Sequence, residues 1–326
     1  MKHDVISMGE LVVDFLTDER DKGLSGSANF TRAPGGAPAN VAAGIARLGA
    51  KAVFLGKVGS DQFGSFLADA LAGYGVDTSH LLRDPEALTT LFFIASRSDG
   101  KKDMLCYRNP GADILIRPDE IPESMFDGAK IFHFGSLSLS RNPAREATFR
   151  ALDLAKKRGL FISFDPNYRP TVWSSADEAR EQIHAAMGYA DLVKIADEEW
   201  ETVTGSPDYA EGSKALIERG VAAVTVTLGE KGCYFRNRSG DGVIPAPHVE
   251  CIDTIGAGDS FTATLLYQFL QDGRLKRAGD ISRGEFAEMI RFAVAAGALA
   301  VTKRGAIPSL PTLDEINRML ASGQAG

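Results

Sequence analysis

The chain has 326 residues, 44% of them hydrophobic and 24% charged, which suits one large domain or a domain with an appendage. A net charge of −7 without a Lys/Arg cluster argues against a nucleic-acid surface. Cys106, Cys233 and Cys251 show no metal or redox spacing, the histidines are scattered, and no apolar run suits a signal peptide or a bilayer span. The expectation is a reduced, soluble, cytoplasmic protein with no membrane partner and no structural zinc.

In chain order, residues 5–8 read as a strand. Residues 40–48 read as a helix, with Val41, Ile45 and Leu48 on one face and Gly49 as the stop. Residues 52–55 are strand-like, and residues 62–71 carry Phe63, Phe66, Leu67 and Ala70 at helical spacing. Apolar runs at 131–134, 161–164, 192–195 and 223–228 alternate with helical stretches such as 144–158 and 208–219. Such alternation predicts an α/β fold, a mostly parallel sheet with helices on both faces. Residues 11–33 and 88–116 break the rhythm with β-rich segments around the turn signal Ser98-Asp99-Gly100-Lys101. They predict a small β lid over a main domain of residues 1–10, 34–87 and 117–326, or else edge strands of the main sheet. The tail at 321–326 is expected to fray.

The chemistry concentrates in Asp253-Thr254-Ile255-Gly256-Ala257-Gly258-Asp259, which precedes a helical pattern. Glycines let a ligand approach the backbone, and a helix start offers unpaired N–H donors and a positive dipole end. That combination suits a phosphoryl group in transfer, with Asp259 placed to accept a hydroxyl proton. On residue chemistry alone, the simpler reading of Asp259 is a helix N-cap. No GxxxxGK[ST] and no complete GxGxxG occur, so neither a Walker-type ATPase nor a dinucleotide fingerprint is present.

The segment resembles the C-terminal signature of the ribokinase-like (PfkB) carbohydrate kinases. Further matches follow in family order: Gly35-Gly36-Ala37-Pro38-Ala39-Asn40, Gly56-Lys57-Val58-Gly59-Ser60-Asp61, Gly75-Val76-Asp77, Thr227-Leu228-Gly229-Glu230-Lys231-Gly232 and Lys303-Arg304-Gly305-Ala306-Ile307-Pro308-Ser309. The resemblance implies that Gly256, Ala257 and Gly258 form an anion hole and that Asp259 is the catalytic base. It places Lys194, Thr227, Gly229 and Gly232 beside ATP. Glu199 is implied near Mg2+, through water, although Ala196 replaces the Asn of the family's Asn-x-x-Glu element. Val294 stands where relatives often carry an Asn near adenine. Asp253, Ile255, Ala300, Gly305 and Ser309 match a monovalent-cation site, implying K+.

At the sugar end, the resemblance implies that Asp14, Gly35, Gly36 and Asn40 bind hydroxyls. Tyr107-Arg108-Asn109-Pro110-Gly111-Ala112-Asp113 and Asp165-Pro166-Asn167-Tyr168-Arg169 are similar to fructokinase motifs. They imply Arg108 and Arg169 as substrate-side residues, positioned by Asn167 and Asp165, and fructose phosphorylated at its 6-hydroxyl. Alternatives are a kinase of the same family for ribose, 2-keto-3-deoxygluconate or a nucleoside, and a non-catalytic sugar sensor on the same fold. An exposed lid edge predicts a homodimer.

Overall fold

The computed structural model describes residues 2–17, 19, 21–97 and 102–322. The expected turn at 98–101 and the last four residues of the tail lie outside the described residues. The strands are β1 Val5–Met8, β2 Val12–Thr17, β3 Thr31–Gly35, β4 Ala52–Gly59, β5 Leu81–Asp84, β6 Leu91–Ser96, β7 Lys102–Tyr107, β8 Ile131–Gly135, β9 Phe161–Asp165, β10 Leu192–Ala196, β11 Ala223–Thr227, β12 Cys233–Asn237 and β13 Gly240–Ile244. The helices are α1 Gly23–Gly26, α2 Ala37–Arg47, α3 Gln62–Gly73, α4 Ala144–Lys157, α5 Ala176–Met187, α6 Asp197–Thr204, α7 Tyr209–Glu218, α8 Ala257–Leu270, α9 Arg283–Ala300, α10 Ala306–Ser309 and α11 Leu313–Ala321.

Among the described residues the strands form a nine-stranded sheet, ordered β13-β12-β11-β10-β9-β8-β1-β4-β5, and a four-stranded sheet, ordered β3-β2-β6-β7. The large sheet is parallel except for β12 and β13 at one edge. Its strands are apolar on both faces because both are covered, as parallel sheets require. Ile6, Met8, Phe132, Phe134, Ile162, Phe164, Val193 and Val224 pack in one core beneath α4 to α7. Val5, Phe54, Ile131, Phe161, Leu192 and Ala223 pack in the other, beneath α2, α3, α8 and α9.

That second face changes character along the strands. Val5, Ile131 and Phe161 give way two residues on to Ser7, His133 and Ser163, which lie side by side in register. His133 Nδ1 meets Ser163 Oγ at 3.1 Å, and burial pushes its pKa down to about 4, so the row is neutral. Two residues further stand Gly135 and Asp165, with Lys194 on β10 beside Asp165. Polarity therefore rises toward the carboxyl ends of the strands, where open α/β sheets bind ligands.

The four-stranded sheet is built from the two stretches that broke the sequence rhythm. Val12, Phe92 and Ile94 pack it onto the body against Leu137 and the half-buried Val172. No helix among the described residues is long and apolar enough to cross a membrane.

Candidate active site

Helix α8 is entered through Gly256, its N-cap, whose φ of 82° is left-handed; a Cβ there would stand 2.7 Å from the Ala306 Cα. Only glycine makes that turn at low cost. A helix start leaves its first-turn amides without intrahelical carbonyls; here the Ala257 N–H leans on the Thr254 carbonyl at 3.4 Å, a long bond that a ligand can replace. Ser260 anchors this end by donating from Oγ to the Ala296 carbonyl at 3.1 Å. Helix α2 packs so closely that a Cβ on Gly44 would meet the Ala263 Cβ at 2.6 Å. The close crossing brings Asn40 to Asp259, and Asn40 Nδ2 donates to Asp259 Oδ2 at 2.7 Å.

Asp259 sits with one side open to the cleft and protein packed on the others. Burial raises its carboxyl to about 6 against the Asn40 hydrogen bond, with Asp165 adding to the rise and Lys194 opposing it. Asn40 Oδ1 is buried without a partner. A buried, unsatisfied acceptor is costly unless a ligand supplies the donor.

Beside Gly258 at the start of α8 stands Lys194. Its Nζ lies 3.0 Å from Asp165 Oδ2, and a Cβ on Gly258 would approach the same Nζ to 3.0 Å. Burial opposes its charge, but Asp165, Glu199 and Asp259 outweigh burial and hold its pKa above the usual lysine value. Glu199, in the first turn of α6, accepts the Tyr168 N–H at 3.0 Å and faces Arg169 Nη1 at 3.6 Å. Burial lifts its carboxyl to about 7, partly offset by Lys194. Thr227 ends β11 beside Ala196 in register, and Gly229 and Gly232 bracket the turn that follows. The residues expected beside a nucleotide thus lie at neighbouring strand ends.

Asp253 binds two loops at once. Its Oδ1 accepts the Ile255 N–H and its Oδ2 the Gly305 N–H, each at 3.0 Å. Ile252 and Asp253 donate backbone N–H groups to the Val301 carbonyl, adjoining Ala300. Ser309 donates its hydroxyl to the Ala306 carbonyl at 2.7 Å, which leaves its oxygen lone pairs open. The five residues expected around a monovalent cation therefore converge beside the α8 N-terminus, and their hydroxyl and carbonyl oxygens are the donor type that suits such an ion. Among the described residues no group of three or more His, Cys, Asp or Glu side chains could hold a metal alone. Glu199 fits a cation held mainly by substrate phosphates, because a buried carboxyl near neutrality gains from a positive neighbour.

At the other end of the cleft, Asp14 on β2 faces Gly35 on β3; a Cβ at 35 would stand 2.1 Å from Asp14 Oδ2. Gly36 has a φ of 106°, and a Cβ there would lie 2.3 Å from the Glu10 carbonyl oxygen. Arg108 is more committed than the sequence motif suggests. Its Nε and Nη2 grip Asp113 Oδ2 at 2.8 and 2.5 Å, and Nη1 and Nη2 reach Ser140 Oγ and the Leu137 carbonyl at 3.3 Å. Asp165 turns to Lys194 and the Asn167 N–H rather than to either arginine, while Arg169 faces Glu199. Sequence reasoning missed the buried Glu10, whose one signal is its place after the carboxyl end of β1.

The family model described as pfkB family carbohydrate kinase matches residues 2–313. A probable fructokinase-2 of Arabidopsis thaliana is 43% identical over 94% of this chain and 93% of its own length. Fructokinase-2 of Solanum lycopersicum is 40% identical over 98% and 96%. The crystal structure of a Xylella fastidiosa fructokinase with bound ATP superposes with a TM-score of 0.88 at 32% identity, covering 99% of each chain. A Vibrio cholerae fructokinase with bound fructose, ADP and calcium gives 0.83 at 32% identity, over 97% of this chain and 98% of that one. The chain belongs to the pfkB family of carbohydrate kinases.

Proposed function

We propose that this enzyme phosphorylates D-fructose at the 6-hydroxyl, using Mg·ATP, with Asp259 as the base. The observation that carries the reading is the 2.7 Å hydrogen bond from Asn40 to Asp259, which joins the glycine turn and Asp14 at one end of the cleft to the helix N-terminus at the other. Relatives named fructokinase at 40–43% identity support the choice of sugar.

Asn40 occupies Oδ2 of Asp259 and leaves Oδ1 to take the proton as the hydroxyl oxygen bonds to the γ-phosphorus. The bond from that phosphorus to the bridging oxygen of ADP breaks in the same displacement. Amides of residues 256–258 and the Lys194 ammonium stabilise the charge on the transferring group. Glu199 would hold Mg2+ through water, and the metal would neutralise phosphate charge. Asp253, Ile255, Ala300, Gly305 and Ser309 would hold K+, which favours the anion hole electrostatically. Gly35, Gly36 and Asp14 bind sugar hydroxyls, and the four-stranded sheet acts as a lid that excludes water.

The lid presents Tyr107 and Leu105, 60% and 47% exposed, on edge strand β7, beside a cluster of Phe15, Phe30 and Phe93. A second copy of the chain covers this face, and a dimeric mass in solution is the expected result. The three unpaired thiols suit a reducing cytoplasm.

The deciding experiment is ADP release with fructose, ribose, 2-keto-3-deoxygluconate and adenosine offered separately. Strong turnover on fructose is expected, and a clear preference for another acceptor would overturn the choice of sugar. The Gly35→Ala variant places a methyl group on Asp14. It is expected to raise the sugar KM at least about tenfold, with the ATP KM nearly unchanged; equal changes in both would remove Gly35 from the sugar end.

A further inference from the structure

The small sheet joins the body through four crossings: residues 9–11, residue 36, residues 85–90 and residues 108–111. Buried polar groups tie these crossings in two pairs, the first to the second and the third to the fourth. Glu10, in the first, accepts the Ala37 N–H through Oε1 at 3.0 Å, just beyond the second. This carboxylate supplies the cap that α2 lacks, because its own N-cap residue is Gly36. Thr90, ending the third, donates from Oγ1 to Asp113 Oδ1 at 2.6 Å, and its carbonyl accepts the Val13 N–H at 3.1 Å. Arg108, starting the fourth, grips the other Asp113 oxygen and reaches the turn after β8 through Ser140 and Leu137.

Two features show that the set is incomplete as it stands. Glu10 is 3% exposed, and its Oε2 has no hydrogen-bond partner. Arg108 uses four of its five N–H groups in these contacts and has one left on Nη1. The two groups are within electrostatic reach: burial raises the Glu10 carboxyl to about 7, and Arg108 is the principal charge opposing the rise. A buried carboxylate oxygen without a donor and a guanidinium with a spare donor, both at the base of the small sheet, are complementary groups.

We propose that Glu10 is a positioning residue for the sugar end of the site, holding the Gly35–Gly36 turn on one oxygen and taking the remaining Arg108 N–H on the other when the lid closes. The shape of the sugar turn and the angle of the lid are then set together. Arg108 acts here as a strut at the lid base rather than as a hand on the sugar. This rests on the reading of residues 35–36 and the small sheet as the sugar end.

The test compares wild type with Glu10→Gln, Arg108→Lys and the double variant, using whichever sugar the wild type turns over. Glu10→Gln keeps an acceptor for Ala37 and loses the charge that faces Arg108. It is expected to raise the sugar KM about tenfold, with kcat and the ATP KM within about twofold. The double variant is expected to be no worse than the worse single, because both changes break one link. Multiplicative losses, an unchanged sugar KM, or a fall in every parameter together with Tm would each overturn the proposal. Hydrogen exchange in the ligand-free proteins reads the link without any sugar: residues 31–40 and 88–97 are both expected to exchange faster in Glu10→Gln. Faster exchange in neither segment also overturns it. Failure of the wild type on fructose with turnover of another sugar would sink the choice of sugar and leave this test intact.

Discussion

Asp259→Asn is expected to lower kcat by about 10²–10⁴-fold, the usual worth of a positioned general base. Sugar and ATP binding should stay close to wild type. The reason lies in the hydrogen bond from Asn40 Nδ2, which the carbonyl oxygen of an introduced Asn can still accept, so the α2–α8 crossing keeps its geometry. Only the proton acceptor is lost. The pH profile gives an independent check. Burial raises the Asp259 carboxyl to about 6, and a carboxyl serves as a base only when ionised. Wild-type kcat/KM in the free enzyme should therefore fall as the pH drops through about 6, roughly two pH units above where an ordinary aspartate would impose the limb. The residual rate of the variant should lack that limb. Full activity in the variant, confirmed by single-turnover measurement, would show that the hydroxyl loses its proton elsewhere.

The parallel sheet is legible in the sequence because doubly covered strands are continuous apolar runs. Residues 131–134, 161–164 and 192–195 each become a strand one residue longer, and the added residues are Gly135, Asp165 and Ala196 at the carboxyl ends. Hydrophobicity stops at the carboxyl ends of these strands, so an apolar pattern underestimates each by its last residue. Helix α2 begins at Ala37 rather than 40 for a related reason. Its first turn carries Pro38, acceptable there because the missing N–H would be unpaired anyway, and is capped by a glycine and a distant carboxylate. The motif containing Arg108 is visible in the sequence, but its engagement by Asp113, Ser140 and Leu137 depends on how the turn after β8 packs against the small sheet. Glu10 offers only its place after β1, since the N–H it holds belongs to Ala37 at the start of α2.

Lys194→Met is the second large effect, and it separates electrostatics from proton transfer. The ammonium is buried with Asp165 at 3.0 Å, and Glu199 and Asp259 also act on it. Removing one partner of a buried ion pair leaves the other charge uncompensated, at a cost of about 3–5 kcal/mol. For a chain of this size that corresponds to a Tm lower by roughly 4–7 °C. Turnover should fall about 10²–10³-fold, the scale for losing one stabilising group at an oxyanion-type site, because the ammonium lies against Gly258, where the proposed mechanism places the transferring phosphoryl group. The pH dependence works in a definite direction. Lys194 lowers the carboxyl pKa of both Glu199 and Asp259, so its removal raises both. The acid limb of the remaining activity should then move to higher pH, whereas Asp259→Asn removes it. Lys194→Met with an unshifted limb and wild-type turnover would place the ammonium outside the reacting charges and leave it only the task of neutralising Asp165.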